Sequence, residues 1–316
     1  RQRQMCIRDR SQKDAKCQLA EKWVEKTVTD SELQVSEDDT QIHIKGREFA
    51  YTIDRRTALF TEMKFAGREY LNHPMELNIW RAPTDNDMYI KSEWKKAHYD
   101  KAYTRAYTTE VVQGKHGVKI TSHASVVAET VQKILDVTIT WKIEAAGKID
   151  ADIAVTKDDE FPDLPRFGVR MFLDKKLSAA RYFGMGPQES YCDKHQAASH
   201  GLYQANVDDL HEDYIRPQEN GSHYDCEYVE LNNNRYGIVV SAENAFSFNA
   251  SYYTQEELEK KTHNYELTES DSVVFCVDYA LNGIGSNSCG PVVLEQYRFD
   301  DVLFRFQFTL IPYIKG

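Results

Sequence analysis

What this 316-residue sequence lacks narrows it first. It has no surplus of positive charge, because 39 Lys and Arg stand against 50 Asp and Glu for a net charge of −11. Nucleic acids and anionic lipid surfaces are both held by basic faces, so neither partner is expected. No stretch of about 18 or more apolar residues occurs, and the opening residues contain no signal-peptide apolar core, so no membrane helix or secretory leader is predicted. Closely paired cysteines are missing too. Cys6, Cys17, Cys192, Cys226, Cys276 and Cys289 are scattered, with neither the spacing of a zinc site nor the density of a disulfide scaffold. They are read as reduced thiols of a cytoplasmic protein, acting as small apolar side chains in a core.

Also absent, from residue 40 onward, are a Pro/Gly/Ser-rich linker and any repeat of fixed period. One large domain over residues 36–316 is therefore expected, and propellers and solenoids are disfavoured. Residues 1–35 stand apart as a polar, irregular stretch, read as a leader or as the remnant of a preceding domain.

What is present is apolar and β-like. Hydrophobic residues make up 41% and aromatics 12%, enough for a sizeable core. Period-2 alternation or short apolar runs mark residues 41–45, 49–53, 59–65, 118–123, 133–141, 148–155, 167–173, 237–241, 272–279 and 302–314. Helical periodicity is confined to residues 91–102 and 255–261, the latter behind Thr254 as a candidate N-cap. The expected fold is all-β, a large two-sheet antiparallel sandwich with few short helices.

Four loops combine turn residues with carboxylates and aromatics, and loops on a β scaffold are where function concentrates. The first is Trp80-Arg81-Ala82-Pro83-Thr84-Asp85-Asn86-Asp87. It reads as a carboxylate-lined cation or polar site, or as a turn whose Asp and Asn side chains bond neighbouring amides. The second runs from Tyr182 to His195 through Gly184-Met185-Gly186-Pro187-Gln188-Glu189-Ser190-Tyr191-Cys192-Asp193-Lys194. It lacks the lysine and third glycine of a phosphate loop. Glu189, Asp193 and His195 form either an acid–base set or a salt-bridged structural knot. The third, Tyr214-Ile215-Arg216-Pro217-Gln218-Glu219-Asn220-Gly221-Ser222-His223, carries a turn signal and an arginine suited to bidentate pairing. The fourth is Asn282-Gly283-Ile284-Gly285-Ser286-Asn287-Ser288-Cys289-Gly290-Pro291, whose lone cysteine has no nearby histidine to activate it.

The order and spacing of these four motifs resemble the C-terminal domain of the large bacterial β-galactosidases of glycoside hydrolase family 2, over residue 40 to the end. The resemblance implies a supersandwich like that of galactose mutarotases, with residues 17–35 ending the segment that joins it to a preceding domain. It also implies hydrolysis of terminal β-D-galactosides such as lactose by two glutamates on a (β/α)8 barrel. No alternating strand–helix pattern for such a barrel occurs here, so no catalytic residue is assigned and the chain alone is expected to be inactive. No metal ligand or cofactor is assigned to it either. Magnesium and sodium are expected in the barrel. The implied partners are the catalytic barrel region or a separate large subunit, the galactoside, and further copies in a homo-oligomer. Ser286, Asn287 and Cys289 are the expected substrate-facing residues. Cys289 stands where several family members place a stacking tryptophan, which implies a different aglycone preference. The remaining readings are the small subunit of a two-chain enzyme, a mutarotase-like epimerase using His195 or His223, and a carbohydrate-binding module. The last of these would show a row of surface Trp or Tyr, whereas Trp23, Trp80, Trp94 and Trp141 are dispersed.

Overall fold

The computed structural model describes residues 33–315 apart from 131, 286 and 288. The irregular N-terminal stretch with Cys6, Cys17 and Trp23, and the expected site residue Ser286, thus lie outside the described residues. The first sheet is a meander of β1 (Gln34–Glu37), β2 (Gln41–Lys45), β3 (Phe49–Asp54), β4 (Leu59–Phe65) and β5 (Arg68–Glu69). The second has twelve strands: β6 (Leu71–Asn78), β7 (Tyr103–Gln113), β8 (Gly117–Val127), β9 (Leu135–Glu144), β10 (Ile149–Lys157), β11 (Arg166–Asp174), β12 (Ala179–Gly186), β13 (Ser199–Asn206), β14 (Ser222–Asn232), β15 (Tyr236–Ser251), β16 (Ser272–Leu281) and β17 (Leu303–Ile314). The strands run β13-β12-β14-β15-β17-β10-β9-β8-β7, with β16, β11 and β6 branching from β15. The pairings are antiparallel, so the all-β expectation holds.

Alternation explains how the sheets pack. Val137, Ile139, Trp141 and Ile143 of β9 and Phe304, Phe306, Phe308 and Leu310 of β17 are buried, while the residues between them, Thr140 apart, are half-buried or exposed. The small sheet answers with Ile42, Ile44, Tyr51, Ile53 and Phe60. Trp141 joins the layers: its ring meets Phe60 at 4.9 Å and Phe308 at 6.3 Å, and its indole N–H donates to the Ala58 carbonyl at 2.8 Å. Burying each such side chain contributes about 1.5–3 kcal/mol. Trp80 and Trp94 are buried as well, so no tryptophan among the described residues supplies a surface platform.

Two short α-helices complete the fold, α1 (Ile90–Lys96) and α2 (Gln255–Lys260). Thr254 caps α2 as expected, its hydroxyl accepting from the Glu257 amide at 3.1 Å. One element differs from expectation. Residues 182–186, read as loop, form most of β12, which pairs with β13 and β14.

Register decides where the four motifs end up. Gly168 at the start of β11 lies beside Asn78 at the end of β6 and Asp278 near the end of β16. The loops that follow β6 and β16 therefore leave the sheet side by side.

Candidate functional site

The motif loops lock together through a buried polar hub. Arg81, fully buried, donates from Nε to Asp87 Oδ2 at 3.3 Å and from Nη2 to Asp87 Oδ1 at 2.7 Å. The same guanidinium donates to the carbonyls of Asn282 and Gly283, which ties the first motif to the fourth. Asp87 also accepts from the Thr84 amide and hydroxyl. Its oxygens are committed, so the turn reading of this motif holds and the cation reading does not.

The second motif separates the proposed acid–base set. Glu189 accepts from the Lys194 ammonium, from the Tyr214 hydroxyl and, at 2.8 Å, from the Gly221 amide. The His195 ring bonds the Tyr191 carbonyl at 3.0 Å instead. Asp193 reaches the fourth motif, accepting from the amides of Ile284 at 3.1 Å and Gly285 at 2.7 Å. The salt-bridged knot is what forms. Burial alone would lower the Lys194 pKa, but its bonds to Glu189 and Tyr214 outweigh that and raise it. Burial and the neighbouring Glu189 push the Tyr214 phenol up.

The third motif supplies Glu219, which the sequence reading did not single out. Its carboxylate accepts from Arg166 Nη1 at 3.3 Å, and Arg166 also forks onto Asp278 through Nε at 3.0 Å and Nη2 at 2.5 Å. All three groups are buried. Burial pushes the Glu219 and Asp278 carboxyls up, against the pull of Arg166. Arg216, expected to pair bidentately, instead makes a single exposed contact with Asp85 at 3.9 Å. The sequence hint of the Arg166–Asp278 pair was a charge inside one apolar run, Asp278, and a charge at the edge of another, Arg166.

Above this hub opens a cleft of about 580 Å³, lined by Glu189, Asp193, Lys194, Tyr214, Gln218, Ile284 and residues 291–294. Its size suits a small ligand or an inserted loop. Beside it, a Cβ at Gly283 would lie 2.7 Å from Asp193 Oδ2, so a side chain there would displace that carboxylate. Asn287, half-buried, lines a neighbouring cleft of about 520 Å³ with Met88, Tyr89 and Val292. Cys289 is exposed and lines neither cleft, while Cys226 and Cys276 are buried as expected of core thiols. Ile215, Met88, Tyr89, Val292 and Leu294 expose apolar side chains around the two openings. Such a cluster marks a contact surface. Among the described residues no three His, Cys, Asp or Glu side chains gather as metal ligands.

The family profile described as Beta galactosidase small chain matches residues 45–310. The chain belongs to the β-galactosidase small-chain family. This small-chain domain corresponds to the C-terminal portion of the glycoside hydrolase family 2 β-galactosidases. It is 44% identical to the β-galactosidase of Actinobacillus pleuropneumoniae over 90% of this chain and 28% of that one. It is 33% identical to that of Staphylococcus xylosus over 89% of this chain and again 28% of the relative. The domain thus spans little more than a quarter of the curated relatives it matches. A galactose 1-epimerase from Lactobacillus acidophilus superposes with a TM-score of 0.46 at 8% identity, over 90% of this chain and 99% of that one.

His223 of the small-chain domain does not act as an acid or base here. It is 1% exposed, its ring lies 4.5 Å from Tyr182 and 5.0 Å from Phe248, and Nδ1 bonds the Met185 carbonyl at 3.2 Å. Burial lowers its pKa to about 4. The neutral imidazole therefore contributes stability above its unfolded pKa of about 6.5, and that contribution is lost as pH falls toward 4. Between about pH 7 and pH 5 the loss is roughly 2 kcal/mol. His223→Phe keeps the stacking, and the Met185 carbonyl retains the Ser190 hydroxyl as donor. Urea unfolding at both pH values is expected to show an acid-induced loss smaller by that amount in the variant. An identical loss in both proteins would contradict this account.

Proposed function

We propose that this domain completes the active-site pocket of a β-galactosidase and supports its assembly, with its motif face docked on the catalytic barrel region. The observation that carries this reading is the pinning of residues 282–285. Arg81, Asn86 and Asp193 hold that backbone at the cleft mouth, directly before Asn287 and Cys289 in the chain. The exposed apolar side chains around both clefts support docking there. Ser286, Asn287 and Cys289 face the galactoside, and Cys289 in place of a stacking aromatic shifts aglycone preference.

The domain does not hydrolyse galactosides by itself. A retaining glycosidase needs two carboxyl groups about 5–5.5 Å apart with one free to donate a proton. Here Glu189 is held by Lys194, Tyr214 and the Gly221 amide, and Glu219 by Arg166. In the whole enzyme magnesium and sodium bind in the barrel region, the assembly is a homo-oligomer, and it acts in the cytoplasm. The match to a small-chain description favours a second arrangement, in which the barrel is carried by a separate large subunit.

The test is hydrolysis of o-nitrophenyl galactoside by the purified chain, alone and mixed with a barrel-containing partner that lacks this domain. Activity is expected only in the mixture. Activity from the chain alone would refute the assignment of the catalytic glutamates to the barrel, and an inactive mixture that nevertheless forms a complex would refute pocket completion.

A further inference from the structure

A third concavity, of about 310 Å³, lies over the junction of β14, β15 and β16 and borders the motif clefts, sharing Tyr297 with the first and Arg298 with the second. Three tyrosines dominate its lining: Tyr224, Tyr279 and Tyr297, each half-buried. Among the described residues none of their phenol oxygens has a hydrogen-bond partner. Two of the rings are fixed from behind. Tyr279 stacks on Phe304 at 4.8 Å and 14°, and Tyr224 stacks on His195 at 5.7 Å and 28°. Asp225 and Asp301 flank the rings as hydrogen-bond acceptors.

We infer that this concavity is a carbohydrate-binding site for a neutral hexose unit, beside the motif clefts and not within them. A pyranose offers an apolar C–H face and a ring of hydroxyls. Rigid aromatic platforms cover the first, while phenols and carboxylates take up the second. The two carboxylates outnumber the one arginine on this wall, Arg298, and on a chain of net charge −11 they disfavour sugar phosphates and uronic acids. A quaternary ammonium would also suit an aromatic cage, but Arg298 on the same wall opposes a cation. The carboxylates lie close to the phenols: burial first, and then Asp301, pushes Tyr279 up, and burial and Asp225 do the same to Tyr224. Positions of this kind let one hydroxyl bridge a carboxylate and a phenol.

The test is saturation-transfer NMR and titration calorimetry on the 316-residue chain with galactose, lactose and choline. Galactose or lactose is expected to bind with a Kd of about 1 mM. Tyr279→Ala is expected to weaken binding roughly five- to tenfold. Asp301→Asn, at an exposed position where the fold is not at stake, is expected to weaken it severalfold. Absence of saturation transfer to either sugar would overturn the inference. So would choline binding in preference to both sugars, or sugar binding untouched by both substitutions.

Discussion

Arg166→Met is expected to destabilise the domain by about 3–5 kcal/mol near neutral pH. Arg166 is 1% exposed and is the shared partner of Asp278 and Glu219, which are buried beside it. Removing one member of a buried ion cluster strands the others, at a cost of about 3–5 kcal/mol. A typical domain has only about 5–15 kcal/mol in all. The pH dependence distinguishes this cause from simple loss of packing. Burial already raises both carboxyls above their unfolded values against the pull of Arg166. A carboxyl raised on folding binds its proton in the native state first, so its effect on stability improves as pH falls through the folded pKa. With the guanidinium gone the rise grows, and the variant should regain stability on mild acidification. The measurement is urea unfolding against pH in a His223→Phe background, which removes the opposing histidine effect. Arg166→Met/Asp278→Asn should recover much of the loss near neutral pH, because only one charge then stays buried. A single variant within about 1 kcal/mol of the parent would show that the cluster contributes nothing to stability beyond its packing.

This cluster also shows where the sequence stops being legible. Strands with strict alternation, such as Phe304 to Leu310, were readable because one face is buried and the other wet. β12 was not, because Gly184 and Gly186 read as loop. Gly184 is there for close approach: a Cβ at that position would sit 2.2 Å from Cys226 Sγ on the neighbouring strand. Residues 237–241 were readable as a strand, but β15 runs on to Ser251. Its second half buries Asn249 and Ser251 and changes partner from β17 to β16, which no local pattern announces. Asp278 is a charge within an apolar run and Arg166 a charge at the edge of another, and the pairing of β11 with β16 makes them neighbours. The four motifs were each visible as turn chemistry. Their convergence on one cleft rests on the register of Asn78, Gly168 and Asp278, contacts between residues about 90 and about 110 apart in the chain.

Asp193 is where that convergence becomes testable as function. Its two oxygens take the Ile284 and Gly285 amides, while Arg81 and Asn86 take the carbonyls of residues 282, 283 and 285. Asp193 is therefore a positioning residue for the loop that leads to Asn287 and Cys289. Asp193→Ala frees two amides and lets the loop mouth drift, and a displacement of about 1 Å at a reacting site can cost roughly 10²-fold in rate. In the enzyme reconstituted with its barrel partner, Asp193→Ala is expected to lower kcat/KM for a galactoside by that order. The half-buried setting of Asp193 keeps the cost to folding small, about 1–2 kcal/mol. Asp193→Asn keeps one acceptor but turns an N–H₂ toward the second amide, so it should fall between Ala and the parent. A merely structural role would lower Tm in proportion and leave kcat/KM of the surviving folded enzyme intact. A positioning role does the reverse, with Tm nearly held, kcat/KM falling in the order Asp, Asn, Ala, and the loss larger for aglycones that reach toward Cys289. Equal kcat/KM for all three at matched folded concentration would separate this loop from the galactoside pocket.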